Sequence, residues 1–170
     1  YVYRSLLEGL FLQEGAVTGT LQEVSRHREA VDYMKQLILE YPDIPSVQTA
    51  VYTTGTIIYQ NVDRWAREPD FVKAGNDKKA LLAEAVGLIE SFLALYPNHP
   101  MADEAGYTLI NLWLDQKNYD VMSRLAKSFA GRYPKSTYLD SYDYLRAYAL
   151  FQLERYEEAL QLAQKVSSSE

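Results

Sequence analysis

The side chains that most often carry chemistry are scarce in this 170-residue chain, which has two histidines, His27 and His99, and no cysteine. A zinc or related metal site draws three or four ligands from histidine, cysteine and carboxylate at short spacings. The two histidines do not sit at ligand spacing with one another, so metal catalysis lacks its donors. Missing cysteines exclude thiol nucleophiles and disulfides but do not choose a compartment. Asp103-Glu104, Asp140, Asp143 and Glu157-Glu158 bring carboxylates together. Such pairs divide acid and base work when their surroundings push their pKa values apart. All of these fall at expected helix starts, where negative charge answers the helix dipole, and that role accounts for them. No Gly-rich phosphate loop and no Gly-x-Ser-x-Gly elbow is present. The chain therefore reads as non-enzymatic, with no metal and no cofactor.

The residue type in excess is tyrosine, at fifteen copies. Its ring is a rigid apolar body with a polar tip, which suits gripping a peptide or a sugar ring more than reacting with one. A formal charge of −6 with no Lys/Arg run argues against nucleic acid, whose phosphates need a basic stripe. Nearly half the residues are hydrophobic, enough for a substantial core, and no apolar run has the length of a membrane span. No signal peptide is visible.

Placing the tyrosines requires the elements that carry them, and these repeat. Tyr96-Pro97 recurs as Tyr133-Pro134, Tyr107 as Tyr144, Trp113-Leu114 as Leu150-Phe151, Tyr119 as Tyr156 and Leu125-Ala126 as Leu162-Ala163, each 37 residues on. A third copy lies upstream at a shift of 55, where Tyr41-Pro42, Tyr52 and Ile58-Tyr59 align, so it holds an 18-residue insertion. A period of a few tens of residues marks a stacked array of small units, each unable to bury its apolar face alone. The 3.6-residue spacing of apolar positions makes the units helical. From a small or flexible residue to the following proline the interval is constant at 12 residues: Ala30 to Pro42, Ala85 to Pro97, Met122 to Pro134.

That interval, and the turn Leu150-Phe151-Gln152-Leu153-Glu154-Arg155-Tyr156-Glu157-Glu158-Ala159-Leu160, resemble the tetratricopeptide repeat family. In that family a small residue lets helix B sit close to helix A, and proline stops helix B. The loops Tyr-Pro-Asn-His-Pro and Tyr-Pro-Lys-Ser-Thr resemble its bacterial cell-envelope members, such as the lipoprotein of the outer-membrane assembly machine and the Tol-Pal coordinator. The resemblance implies an all-α, right-handed α-solenoid of antiparallel helix pairs that binds a protein or peptide on a concave face lined by A helices. It also implies a periplasmic setting, with the cytoplasm left open. Carried over by alignment, the groove positions form three rows: Tyr52, Tyr107 and Tyr144; Thr56, Asn111 and Tyr148; Tyr59, Leu114 and Phe151, with Asp115 beside the third. The competing reading has these tyrosines pack one A helix on the next. Tyr41, Tyr96 and Tyr133, each before a helix-stopping proline, read as staples between neighbouring repeats.

Along the chain, a helix is expected over Tyr3–Gln13, a turn over Ala16–Thr20, and helices over Leu21–Tyr41 and from Pro45 to about Arg67. The insertion, residues 61–79, carries Trp65 and Phe71, which either dock a partner or pin the insertion onto its own repeat. Pro69 breaks any helix there, and Asp77 caps the next one, ending at Tyr96. Later helices are expected from Pro100 to about Gln116, Tyr119–Arg132, Thr137–Leu153 and Tyr156 to about Val166. Trp113, aligned with Ile58 and Leu150, is expected to be buried. One domain, residues 1–170, would then hold pairs at about 1–42, 43–97, 98–134 and 135–170. Starting inside a helical pattern at Tyr1, and lacking a polar capping helix at the other end, the sequence reads as a fragment with further repeats after it. Three functions fit: a protein-binding scaffold, a cell-wall polysaccharide binder, or an accessory domain of a larger enzyme.

Overall fold

The computed structural model describes residues 27–73 and 75–167. They form the helices α1 (His27–Glu40), α2 (Pro45–Trp65), α3 (Pro69–Lys73), α4 (Lys78–Leu95), α5 (Ala102–Asp115), α6 (Tyr119–Arg132), α7 (Leu139–Gln152) and α8 (Tyr156–Ser167), with no strand among them. The all-α, paired-helix expectation holds. The helix expected over Tyr3–Gln13, the turn after it and the start of the Leu21–Tyr41 helix lie outside the described residues. The chain divides into two compact units, one ending at Tyr96 and one beginning at Pro97, a boundary between expected helix pairs.

In the first unit, α1 and α4 both pack on α2. The pair α2–α4 is antiparallel: Tyr52, early in α2, stacks on Phe92, late in α4, at 5.5 Å, while Asp63 near the end of α2 meets Lys78 at the start of α4 at 2.5 Å. Midway, Gly55 lets the two backbones close up, since a Cβ there would sit 2.8 Å from Ile89 Cγ1 and 3.1 Å from the Ala85 carbonyl oxygen. The threonines of α2 are weak helix formers. Thr49, Thr53 and Thr56 settle by donating their hydroxyls to the carbonyls of Pro45, Thr49 and Tyr52, one turn back. Pro45 opens α2, where its missing N–H costs nothing.

The insertion buries both of its large aromatic side chains. α2 stops at Trp65, two residues short of the expected end, and Pro69 starts the short helix α3 where a break was expected. α3 closes on Gly75 at φ +76°, and Asn76 donates both its backbone and its side-chain N–H to the Phe71 carbonyl. Trp65 and Phe71 are 1% and 2% exposed. Asp77 caps α4 as expected, its Oδ1 accepting from the Ala80 N–H at 2.6 Å.

In the second unit, α7 packs on both α5 and α6, and α8 packs on α7. Gly106 of α5 faces Phe129 of α6, and Asp143 of α7 meets Lys165 of α8 at 2.8 Å, so α5–α6 and α7–α8 are antiparallel hairpins. Both turn in the same way. Lys117 and Glu154, 37 residues apart, take left-handed φ of 56° and 61°. Their N–H groups bond to Leu114 and Phe151, and the N–H groups of Asn118 and Arg155 reach the Trp113 and Leu150 carbonyls, the two bonds of a Schellman end. Ala30, Ala85 and Met122, the residues 12 before each proline, are all fully buried. Trp113 is only partly buried, unlike the fully buried Ile58 and Leu150 with which it aligns.

Candidate binding site

The described tyrosines fall into three groups with different tasks. The first holds hairpins in sequence: Tyr96 donates its hydroxyl to the Pro42 carbonyl at 3.2 Å and Tyr133 to the Pro97 carbonyl at 3.1 Å. The same bond thus recurs once in each unit, and the staple expected of these residues is made through the oxygen of the preceding proline.

A second group builds the joint between α5 and α7. Ser136, in the turn before α7, donates to Asp103 Oδ2 at 2.7 Å and accepts from the Tyr138 N–H. Tyr138 stacks on Tyr107 at 4.9 Å, and the Tyr142 hydroxyl donates to the Asp103 carbonyl. Tyr142 is fully buried against Phe129. Burial, reinforced by the nearby Asp103 carboxylate, pushes its phenol well above the ordinary tyrosine value. Tyr107 is therefore partly buried and committed to Tyr138.

Third come rings turned to solvent. Tyr144, Tyr148 and Phe151 of α7 are 64%, 38% and 57% exposed, and on α8 Tyr156 and Leu160 are 55% and 60% exposed. Together with Ala147, Ala159, Ala163 and Ser167 they line a cleft of about 710 Å³ along the α7–α8 hairpin. Phe151 meets Tyr156 edge-on at 5.4 Å at one end, and Tyr148 leans edge-on toward Tyr119 at 6.1 Å. The 3.6-residue repeat puts positions 144, 148 and 151 of α7, and 156, 160 and 163 of α8, on facing stripes. Five bulky apolar side chains exposed on one hairpin exceed the scattered single residues normal on a protein surface.

Of the residues expected to bind a partner, Tyr144, Tyr148 and Phe151 come together in this cleft. Tyr52 does not present a binding ring: it is 3% exposed beneath Phe92. Trp65 and Phe71, read either as partner contacts or as pins, are sealed in the core of the first unit and leave no surface to dock. Thr56 and Asn111 spend a donor on backbone carbonyls four residues earlier. Tyr59 and Leu114 are partly buried, and Asp115 is exposed. Tyr156 and Leu160 fall outside the expected set, because the resemblance lines the concave face with A helices alone. Their signal was present in the period, since Leu160 stands where the preceding hairpin has Ser123, a large apolar residue in place of a small polar one.

A second, polar hollow in the same unit is lined by His99, Asp103, Arg132, Tyr133 and the loop Pro97–Pro100. Its groups are occupied locally: His99 Nδ1 accepts from the Met101 N–H, Asp103 from Ser136, and the Tyr133 hydroxyl donates to Pro97. Among the described residues no three acidic or imidazole side chains gather to hold a metal, and no helix is long and apolar enough to cross a membrane.

The pairing, the repeated turns and the proline-directed tyrosines define an all-α protein built of repeated antiparallel helix hairpins. No family model matches the sequence, and no curated protein does. Among solved structures, similarity is found to a kinesin-light-chain-type protein of Podosopora anserina with nearly identical TPR-like repeats. It has been crystallised in two forms, one a point variant; each is 14% identical over 92% of both chains, with a TM-score of 0.43.

Proposed function

We propose that this chain is a non-catalytic interaction scaffold that holds a peptide or protein segment in the aromatic cleft of α7 and α8. The carrying observation is the exposure of Tyr144, Phe151, Tyr156 and Leu160 side by side on one hairpin. Large rings at the centre of an apolar patch are the usual anchors of protein recognition. A cell-wall polysaccharide is the weaker candidate. Sugars need several directed hydrogen bonds besides a stacking ring, whereas Ala147, Phe151, Ala159, Leu160 and Ala163 leave only the hydroxyls of Tyr144, Tyr148, Tyr156 and Ser167 to supply them from side chains. The loop style of the helix ends favours a bacterial cell-envelope assembly as the setting, which cell fractionation checks.

The test pans a displayed peptide library and a glycan array against the chain and its Leu160→Asp variant. Peptides with apolar or aromatic anchors should be enriched on the parent and lost on the variant. Glycan retention without peptide enrichment refutes the reading.

A further inference from the structure

The antiparallel hairpin α5–α6 sets the first turn of one helix beside the last turn of the other, and the polar hollow of about 610 Å³ opens there. Its charges are divided between the two helices. Asp103, with Glu104 next to it, stands in the first turn of α5 and Arg132 in the last turn of α6, signs that suit the two helix dipoles. Asp103 and Arg132 both line the hollow yet form no ion pair with each other. The Asp103 oxygens accept from Ser136 and from the Glu104 N–H, and Arg132 has no hydrogen-bond or ion-pair partner among the described residues. The positive side is reinforced by its surroundings. Residues 121–139 carry Arg124, Lys127, Arg132 and Lys135 and no acid, in a chain whose formal charge is −6. Among the described residues only Arg124 of these four is paired, with Asp120.

The array does not ask for this arginine. One period earlier its place is taken by Leu95, which is 65% exposed, so the position folds without a charge. Asn98, in the loop that completes the lining, likewise spends no side-chain bond on the fold. The groups that are spent hold the walls still: Tyr133 through Pro97, His99 through Met101 and Asp103 through Ser136. What results is a prearranged concavity with a guanidinium, an opposed carboxylate, an amide, and the rings of Pro97, Pro100 and Tyr133 as apolar wall.

We infer that this hollow binds a small zwitterion, a free amino acid, with its carboxylate on the Arg132 guanidinium and the Asn98 amide and its ammonium on the Asp103 carboxylate. A plain anion meets the charges of Asp103 and Glu104, and a plain cation meets Arg132. Only a ligand carrying both signs gains from both helices. Each Asp103 oxygen keeps accepting capacity for the ammonium after its internal bond is made. The site shares no lining residue with the α7–α8 cleft and stands independently of the protein-binding reading.

Isothermal titration of the full chain with glycine, β-alanine and γ-aminobutyrate, whose two charges lie progressively further apart, reads the span between Arg132 and Asp103. Saturable binding of at least one is expected. The N-acetylated and amidated forms of that ligand, each lacking one charge, should bind at least about tenfold more weakly. Arg132→Gln should lower the affinity at least about tenfold, the size of one bidentate charge-assisted pair, and Asn98→Ala several-fold, as for a neutral hydrogen bond. Melting temperature should not change in either variant, because neither side chain bonds to the fold, and Leu160→Asp should bind the ligand as the parent does. No saturable binding by any of the three, or equal affinity in Arg132→Gln, overturns the site. An N-acetylated ligand that binds as tightly as its parent overturns the zwitterion in favour of a simple anion. O-phosphoethanolamine, titrated alongside, overturns the free amino acid in favour of a lipid headgroup if it binds more tightly than all three.

Discussion

Replacing Glu154 and Lys117 by glycine tests the turn geometry, because the two residues hold the same strained position with opposite charge. Both sit at φ near +60°, directly after a helix, with the two hydrogen bonds of a Schellman end already made. An L-residue in this left-handed region loses about 1–2 kcal/mol to the crowding of its Cβ. Glycine removes that cost but gives up about 0.5–1 kcal/mol through the freedom it adds to the unfolded chain. The backbone balance therefore favours glycine by about 0.5–1 kcal/mol at each site. Charge then separates them. Lysine beside a helix C-terminus is favourable and glutamate unfavourable, each by about 0.3 kcal/mol at an exposed position. Glu154→Gly should accordingly gain about 1 kcal/mol and Lys117→Gly about half of that. For a chain of this size, 1 kcal/mol moves the melting temperature by about 2–4 °C. Thermal unfolding at low salt reads both, and added salt should bring the two gains closer together. Loss of stability in either variant refutes the strain argument, and a larger gain from Lys117→Gly refutes the electrostatic part.

Two further outcomes follow from the packing. Gly55→Ala should destabilise by about 1–2 kcal/mol, because overpacking of about 1–3 kcal/mol outweighs a helix-propensity gain of just under 1 kcal/mol; urea unfolding measures it, and combined with Ile89→Ala, which removes the Cγ1 and Cδ1 facing the new Cβ, it should cost less than the two single changes added together. Tyr142→Phe should cost about 1–2 kcal/mol at neutral pH by removing a buried donor, and it should also change the alkaline limb. The raised phenol of Tyr142 keeps its proton while the unfolded chain ionises near pH 10, so the folded state binds more protons and stability falls as pH rises past that point. The variant's stability should fall less steeply above pH 10, and an unchanged slope would count against Tyr142 as the cause.

The pairing of helices, their stops at Tyr96 and Tyr133, the Asp77 cap and the tyrosine staples were legible in the sequence, because each rests on residues within a turn or on a period that repeats. The fate of individual rings was not. Tyr52 and Tyr144 occupy equivalent places in aligned repeats, yet one lies under Phe92 and the other faces solvent. What covers a ring is decided by a helix tens of residues away. Trp65 and Phe71 read as possible contacts because insertions often reach outward, but the hydrogen bonds of Asn76 to Phe71 turn this one inward. Tyr156 and Leu160 were not legible because the resemblance points to A helices alone, whereas the cleft uses the seam between both helices of the hairpin.

The hydroxyl that each closing tyrosine gives to an earlier proline has a bearing on how such a chain lengthens. The 37-residue segment 98–134 carries Tyr133, which bonds to the Pro97 just before it, and ends in Pro134, so a tandem copy of it would bring its own tyrosine to a proline already in place. Extension by duplication then asks for no new fastening: the acceptor for the next hairpin is installed by the one before it, and length becomes something the gene can change in whole steps.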